Sequence, residues 1–153
     1  MVTLEAILER NNLNRAYKQV KANKGGPGVD GMTVDDLLDY LRTHAVEIVE
    51  SVKAGKYTPQ PVRRVMIPKE EKGKFRPLGI PTAVDRIIQQ AIAQKLSEEY
   101  EPVFSTHSHG FRPDRSCKSA IYEALEIANQ GYVWVVDLDL STVSYTHLTL
   151  PTK

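Results

Sequence analysis

The chain has 153 residues, 41% hydrophobic and 25% charged, with a formal net charge of +1. That balance can bury a core and excludes a globally disordered chain, and no apolar run approaches the roughly 20 residues of a membrane span. The single cysteine, Cys117, rules out an internal disulfide, and the opening MVTLEAILER lacks the layout of a secretion signal, so a cytoplasmic setting with no membrane partner is expected.

Residues 4–24, LEAILERNNLNRAYKQVKANK, read as helix with a break near Asn11–Asn12. The loop GGPGVDG follows. Its Gly26, Gly28 and Gly31 fit a dinucleotide fingerprint literally, but that fingerprint needs a strand before the glycines, and a helix precedes them. A turn between two helices is the better reading. Thr33 then stands three residues before Asp36, an approximate capping box. Behind it, apolar residues from Val34 to Val52 recur at intervals of three and four, one face of an amphipathic helix.

Pro59 and Pro61 end helical character. VRRVMI (62–67) and FRPLGI (75–80) are short β-prone runs around PKEEKGK, which predicts a hairpin with a mobile basic tip. Pro77 makes the second run an edge or partial strand. Residues 53–76 hold eight Lys/Arg against two Asp/Glu, while the flanking segments 1–52 and 77–153 carry net charges of −2 and −3. Such a block is either a polyanion site or a solvated loop. Strand alternation puts Arg63 and Val65 on one face and Arg64 and Met66 on the other. Arginine offers phosphate a planar fork and lysine a point charge, so Arg63, Arg64, Lys69, Lys72, Lys74 and Arg76 could fold over a triphosphate or a nucleic-acid backbone.

A second strong helix spans Val84 to Leu96, EPVFSTHSHGFRPDRS is a loop, and a third helix spans Cys117 to Ala128. Cys117 falls on that helix's apolar face, so core packing is expected. His107, His109 and Cys117 fit no common zinc spacing and read as polar loop residues. YVWVVDLDL (132–140) is the best strand of the chain and is apolar on both faces. Asp137 and Asp139 lie two apart and share a face of it. Acids there must sit at an exposed strand end, pair with a base or bind a cation. The class is α+β.

In order, NKGGPGVDGMT (23–33), KYTPQPVRRVMIPKEEKGKFRPLGIPTAVDRIIQQAI (56–92), FSTHSHGFRPDRSCKSAI (104–121) and WVVDLDLS (134–141) resemble the N-terminal blocks of group II intron reverse transcriptases, the intron-encoded maturases. The resemblance covers about residues 10 to 141. It implies the fingers and first palm strand of a right-hand polymerase: a helical N-terminal extension over 1–52, fingers over 53–130 with the basic hairpin at about 62–80, and a first palm strand over 131–142. It implies RNA-templated DNA synthesis on intron RNA with a primer strand, deoxynucleoside triphosphates and Mg2+, together with a role in splicing. Asp139 matches the first catalytic, metal-binding aspartate, and Asp137 a variable, structural position. Lys69 and Arg76, and more weakly Arg63, match residues that grip the incoming nucleotide. Gly110, Phe111 and Arg112, with Arg64 of the hairpin, match template or nucleic-acid contacts. The rival readings are a non-polymerising, RNA-binding maturase, and a sibling enzyme from a retron, a diversity-generating element or a CRISPR-linked system.

After Ser141 the family pattern stops: the two aromatics expected beyond Asp139 are absent. VSYTHLTLPT resembles the in-frame translation of a synthetic transposon-end adapter used in sequencing libraries. Residues 143–153 are therefore expected to be non-native, Thr142 to be a hybrid codon, and the 153-residue piece to be inactive by itself.

Overall fold

The computed structural model describes residues 1–68, 70 and 73–138. The chain divides into two units, Met1–Phe104 and Ser105–Lys153.

In the first unit, helix α1 (Leu4–Ile7) starts where the Thr3 hydroxyl accepts the Ala6 N–H at 3.2 Å, and α2 (Arg10–Ala22) follows. The break falls at Leu8–Glu9, not at Asn11–Asn12. Asn12 is instead a buried helical residue, 4% exposed. Its amide donates to the Ile7 carbonyl at 2.8 Å and to the Ala91 carbonyl at 2.9 Å, and its Oδ1 accepts from Gln94 at 2.9 Å. The Ile7 carbonyl is one that the end of α1 leaves without a helical partner. Satisfying it offsets the weak helix propensity of asparagine.

Helix α3 (Leu37–Lys53) is announced by the predicted capping box. Thr33 N–H donates to Asp36 Oδ2 at 3.2 Å and Asp36 N–H to Thr33 Oγ1 at 3.4 Å, with residues 34–36 forming a turn before the regular helix. Strands β1 (Arg63–Pro68) and β2 (Phe75–Ile80) form an antiparallel hairpin in which Arg63 faces Ile80 and Pro68 faces Phe75. Among the described residues both are edge strands, where Pro77 is tolerated. Helix α4 (Ala83–Tyr100) has Thr82 as its N-cap and runs into a short 3-10 turn, Glu101–Val103.

The core joins Ala16 and Val20 of α2, Val34, Leu37 of α3, and Ala83, Ile87 and Ala91 of α4. Ala16, Ala83 and Ala91 have no exposed surface, and these small side chains let α2 pack closely along α4.

In the second unit, α5 (Cys117–Asn129) begins at a reciprocal box between Ser116 and Ser119, at 3.2 and 3.0 Å. Cys117 is exposed, which overturns its expected place in a core. The reason is that no side chain of this unit is buried among the described residues, so the apolar face of α5, including Ile121 and Leu125, stays open. Residues 132–138 carry no strand, and Trp134 is 94% exposed. A strand exists only by pairing, and none of the described strands pairs with this run. Asp139, Lys69 and the segment 143–153 lie outside the described residues.

Candidate nucleic-acid interface

The basic hairpin is fixed at its base by one buried carboxylate. Asp85, 3% exposed at the start of α4, accepts from the Tyr57 hydroxyl at 2.6 Å, the Thr82 hydroxyl at 2.6 Å and the Gln60 N–H at 3.2 Å. Burial, and then the Asp85 carboxylate, push the Tyr57 hydroxyl well above the ordinary phenol range. These bonds tie the segment entering β1 to the helix that follows β2.

The glycine loop closes against the same place. A Cβ on Gly28 would lie 2.7 Å from Thr82 Cα, so the loop backbone touches the α4 cap directly. Arg86 Nη2 donates to the Gly26 carbonyl at 3.0 Å. The Arg63 guanidinium reaches the same residue, 3.5 Å from where a Gly26 Cβ would stand. The loop therefore abuts the hairpin base, and its glycines serve close approach rather than a dinucleotide.

Register sorts the hairpin cations. Residues opposite each other in an antiparallel pair share a face. Arg63, Val65 and Ile67 therefore lie with Ile80, Leu78 and Arg76, and Arg64 and Met66 lie with Gly79 and Pro77. On the first face Val65, Ile67 and Ile80 are half-buried, while Arg63 and Arg76 remain exposed. Four residues of strand separate the two arginines, about 13 Å. Arg64 is exposed on the opposite face. The structure thus brings Arg63 and Arg76 onto one surface and keeps Arg64 off it.

In the second unit the loop 105–116 is laced to itself and to α5. Arg112 Nη1 donates to the Ser105 and Ser108 carbonyls at 2.6 and 2.9 Å, and Arg115 Nη1 to the Thr106 carbonyl at 2.7 Å. His107 Nδ1 bonds to Glu123, His109 Nε2 bonds to the same carboxylate at 2.6 Å, and His109 Nδ1 pairs with the Ser119 hydroxyl at 2.9 Å. The bonds from His107 and then His109 hold the Glu123 carboxyl below the usual range. Phe111 and Asp114 adopt left-handed backbone, φ +58° and +56°, and the Phe111 ring is fully exposed. Beside it, a Cβ on Gly110 would meet nothing within 4 Å. The histidines thus serve Glu123, not Cys117, and among the described residues no group of three or more potential ligands could hold a metal. Asp137 is exposed.

Reasoning from sequence missed Tyr57, Asp85, Arg86 and Glu123. Two had a readable signal. Thr82 and Asp85 have capping-box spacing, and Ser119 and Glu123, four apart on a helix, share a face.

A sequence profile described as "Reverse transcriptase (RNA-dependent DNA polymerase)" matches residues 67–146, and the chain belongs to that family. Among curated proteins it is 40% identical to the group II intron-encoded protein LtrA of Lactococcus lactis subsp. cremoris over 137 residues, 88% of this chain and 22% of that protein. It is 38% identical to the protein YkfC of Escherichia coli over 145 residues, 91% of this chain and 38% of YkfC. A 91 kDa protein in a cob intron of Schizosaccharomyces pombe is 34% identical over 141 residues, 88% of this chain and 16% of that protein. The chain thus spans well under half the length of each of these relatives.

Proposed function

We propose that the chain is the fingers region and first palm strand of a right-hand polymerase, part of a group II intron-encoded reverse transcriptase that also assists intron splicing. The observation that carries this reading is the 40% identity with an intron-encoded protein across 88% of the chain. In this reading residues 1–52 are the helical extension, 53–130 the fingers and 131–142 the segment that forms the first palm strand once sheet neighbours pair with it.

The hairpin face bearing Arg63 and Arg76, together with Lys69, which follows β1 in the sequence, grips the triphosphate of an incoming deoxynucleotide. Guanidinium groups suit this task because they bond phosphate oxygens through two parallel donors. Arg64, on the other face, and the 110–112 loop meet the RNA template and primer. Contacts to phosphate, and stacking of a base on an exposed ring such as Phe111, accept any sequence, as template copying requires. Asp139 is the proposed Mg2+ ligand. Bound Mg2+ would neutralise charge on the transferring phosphate. The described residues do not by themselves form a metal site, so this assignment rests on the Asp137-Leu138-Asp139 pattern and the family.

The test is DNA synthesis on an RNA template by the full-length gene product. Asp139→Ala should abolish it. Arg76→Ala should raise the KM for deoxynucleotides by roughly tenfold or more, the loss of one charge-assisted phosphate bond. Undiminished synthesis by Asp139→Ala would overturn the proposal.

A further inference from the structure

Phe111 poses a physical problem. A left-handed backbone at a bulky residue is sparsely populated and persists only where the surroundings fix it. Yet this ring touches little, being fully exposed. The constraint must come through the neighbouring backbone. Two residues before it, His109 is bonded through both ring nitrogens, to Glu123 and to Ser119 of α5, and His107 is bonded to the other oxygen of the same carboxylate. Only 12% of the His109 side chain and 26% of the Glu123 side chain are exposed. One residue after Phe111, Arg112 closes the loop on the Ser105 and Ser108 carbonyls.

We infer that Glu123 is a positioning residue: by holding His107 and His109 against α5 it aims the Phe111 ring outward as a stacking surface for a nucleic-acid base. This rests on the reading of residues 110–112 as a template contact. The chemistry suits a carboxylate. Its two oxygens accept from two imidazoles at once, whereas an amide at this position offers one acceptor and one donor. Both ring nitrogens of His109 are engaged, one by Glu123 and the other by Ser119, so the imidazole cannot turn without giving up a bond. No enzymatic step is assigned to Glu123.

The experiment uses the full chain, a fluorescently labelled single-stranded oligoadenylate RNA as probe, and the amide resonances of Gly110 and Phe111 as a spectroscopic signature. Glu123→Gln should weaken RNA affinity roughly three- to tenfold and move both resonances, with the thermal midpoint of the first unit unchanged. Ser119→Ala, which removes one of the two His109 bonds together with the Ser119 half of the box at the start of α5, should act in the same direction. In a Phe111→Ala background, Glu123→Gln should cost no further affinity, because the two act through one ring. The inference is overturned if Glu123→Gln leaves affinity and resonances unchanged while Phe111→Ala weakens binding. It is also overturned if Glu123→Gln weakens binding equally in both backgrounds, which is what general destabilisation produces. If Phe111→Ala and Arg112→Ala both bind like the parent, it is the nucleic-acid reading of the loop that has failed, and the positioning role goes with it.

Discussion

Replacing Asp85 by alanine tests how the basic hairpin is held. The change removes the acceptor of three bonds, from the Thr82 hydroxyl, the Tyr57 hydroxyl and the Gln60 N–H. They are not equal. Thr82 is 2% exposed, so its hydroxyl is stranded away from water, at about 2 kcal/mol. Tyr57 is half-buried and recovers part of its hydration, which leaves about 1 kcal/mol. Gln60 is exposed, and its N–H turns to solvent at little cost. The sum is about 3 kcal/mol, a large share of the 5–15 kcal/mol typical of a folded domain. Asp85→Asn keeps the volume and one acceptor, so it should lose about half as much. Urea unfolding followed by tryptophan-independent helical circular dichroism measures both. An Asp85→Ala variant within about 0.5 kcal/mol of the parent, the scatter of ordinary surface changes, would show that Asp85 does not anchor the hairpin.

Gly28→Ala should destabilise the first unit by about 1–3 kcal/mol, since its Cβ would fall 2.7 Å from Thr82 Cα and 2.8 Å from Thr82 N. A lowered thermal midpoint checks this, and an unchanged one would mean the loop can stand off from α4. The raised Tyr57 pKa predicts an alkaline effect. The folded state resists ionising this phenol, so its contribution is complete below the ordinary phenol value of about 10 and declines as pH rises above it. Tyr57→Phe should flatten that decline relative to the parent in unfolding curves taken at increasing pH, while losing the Asp85 bond at neutral pH. Binding of the single-stranded RNA probe should weaken steeply with added salt, and Arg63→Ala with Arg76→Ala should make that dependence shallower, because fewer counterions are then released.

The hairpin was legible because its signals are local: β-prone runs, two flanking prolines and a charged, glycine-containing tip. The Thr33–Asp36 box was equally local, and only the first regular turn was displaced. Asn12 was misread because its helix-breaking tendency is local while its compensation comes from Ala91 and Gln94, some eighty residues away in the chain. A shorter separation, 28 residues, likewise hid the Tyr57–Asp85 bond. Cys117 failed for a different reason. Periodicity tells which face of a helix is apolar, not whether anything covers it, and the apolar face of α5 is open among the described residues. Residues 132–138 repeat that lesson, since their apolar character marks a wish for neighbours that no described strand meets.

The pairing of β1 with β2 also limits how this protein can drift. Because neighbouring side chains point opposite ways, inserting or deleting one amino acid between Arg64 and Ile67 would shift the strand parity and put Arg64, not Arg63, on the face shared with Arg76. Gene-length variation here should accordingly accumulate in the turn, or arrive two codons' worth at a time. An engineer lengthening the arms would have to respect the same parity.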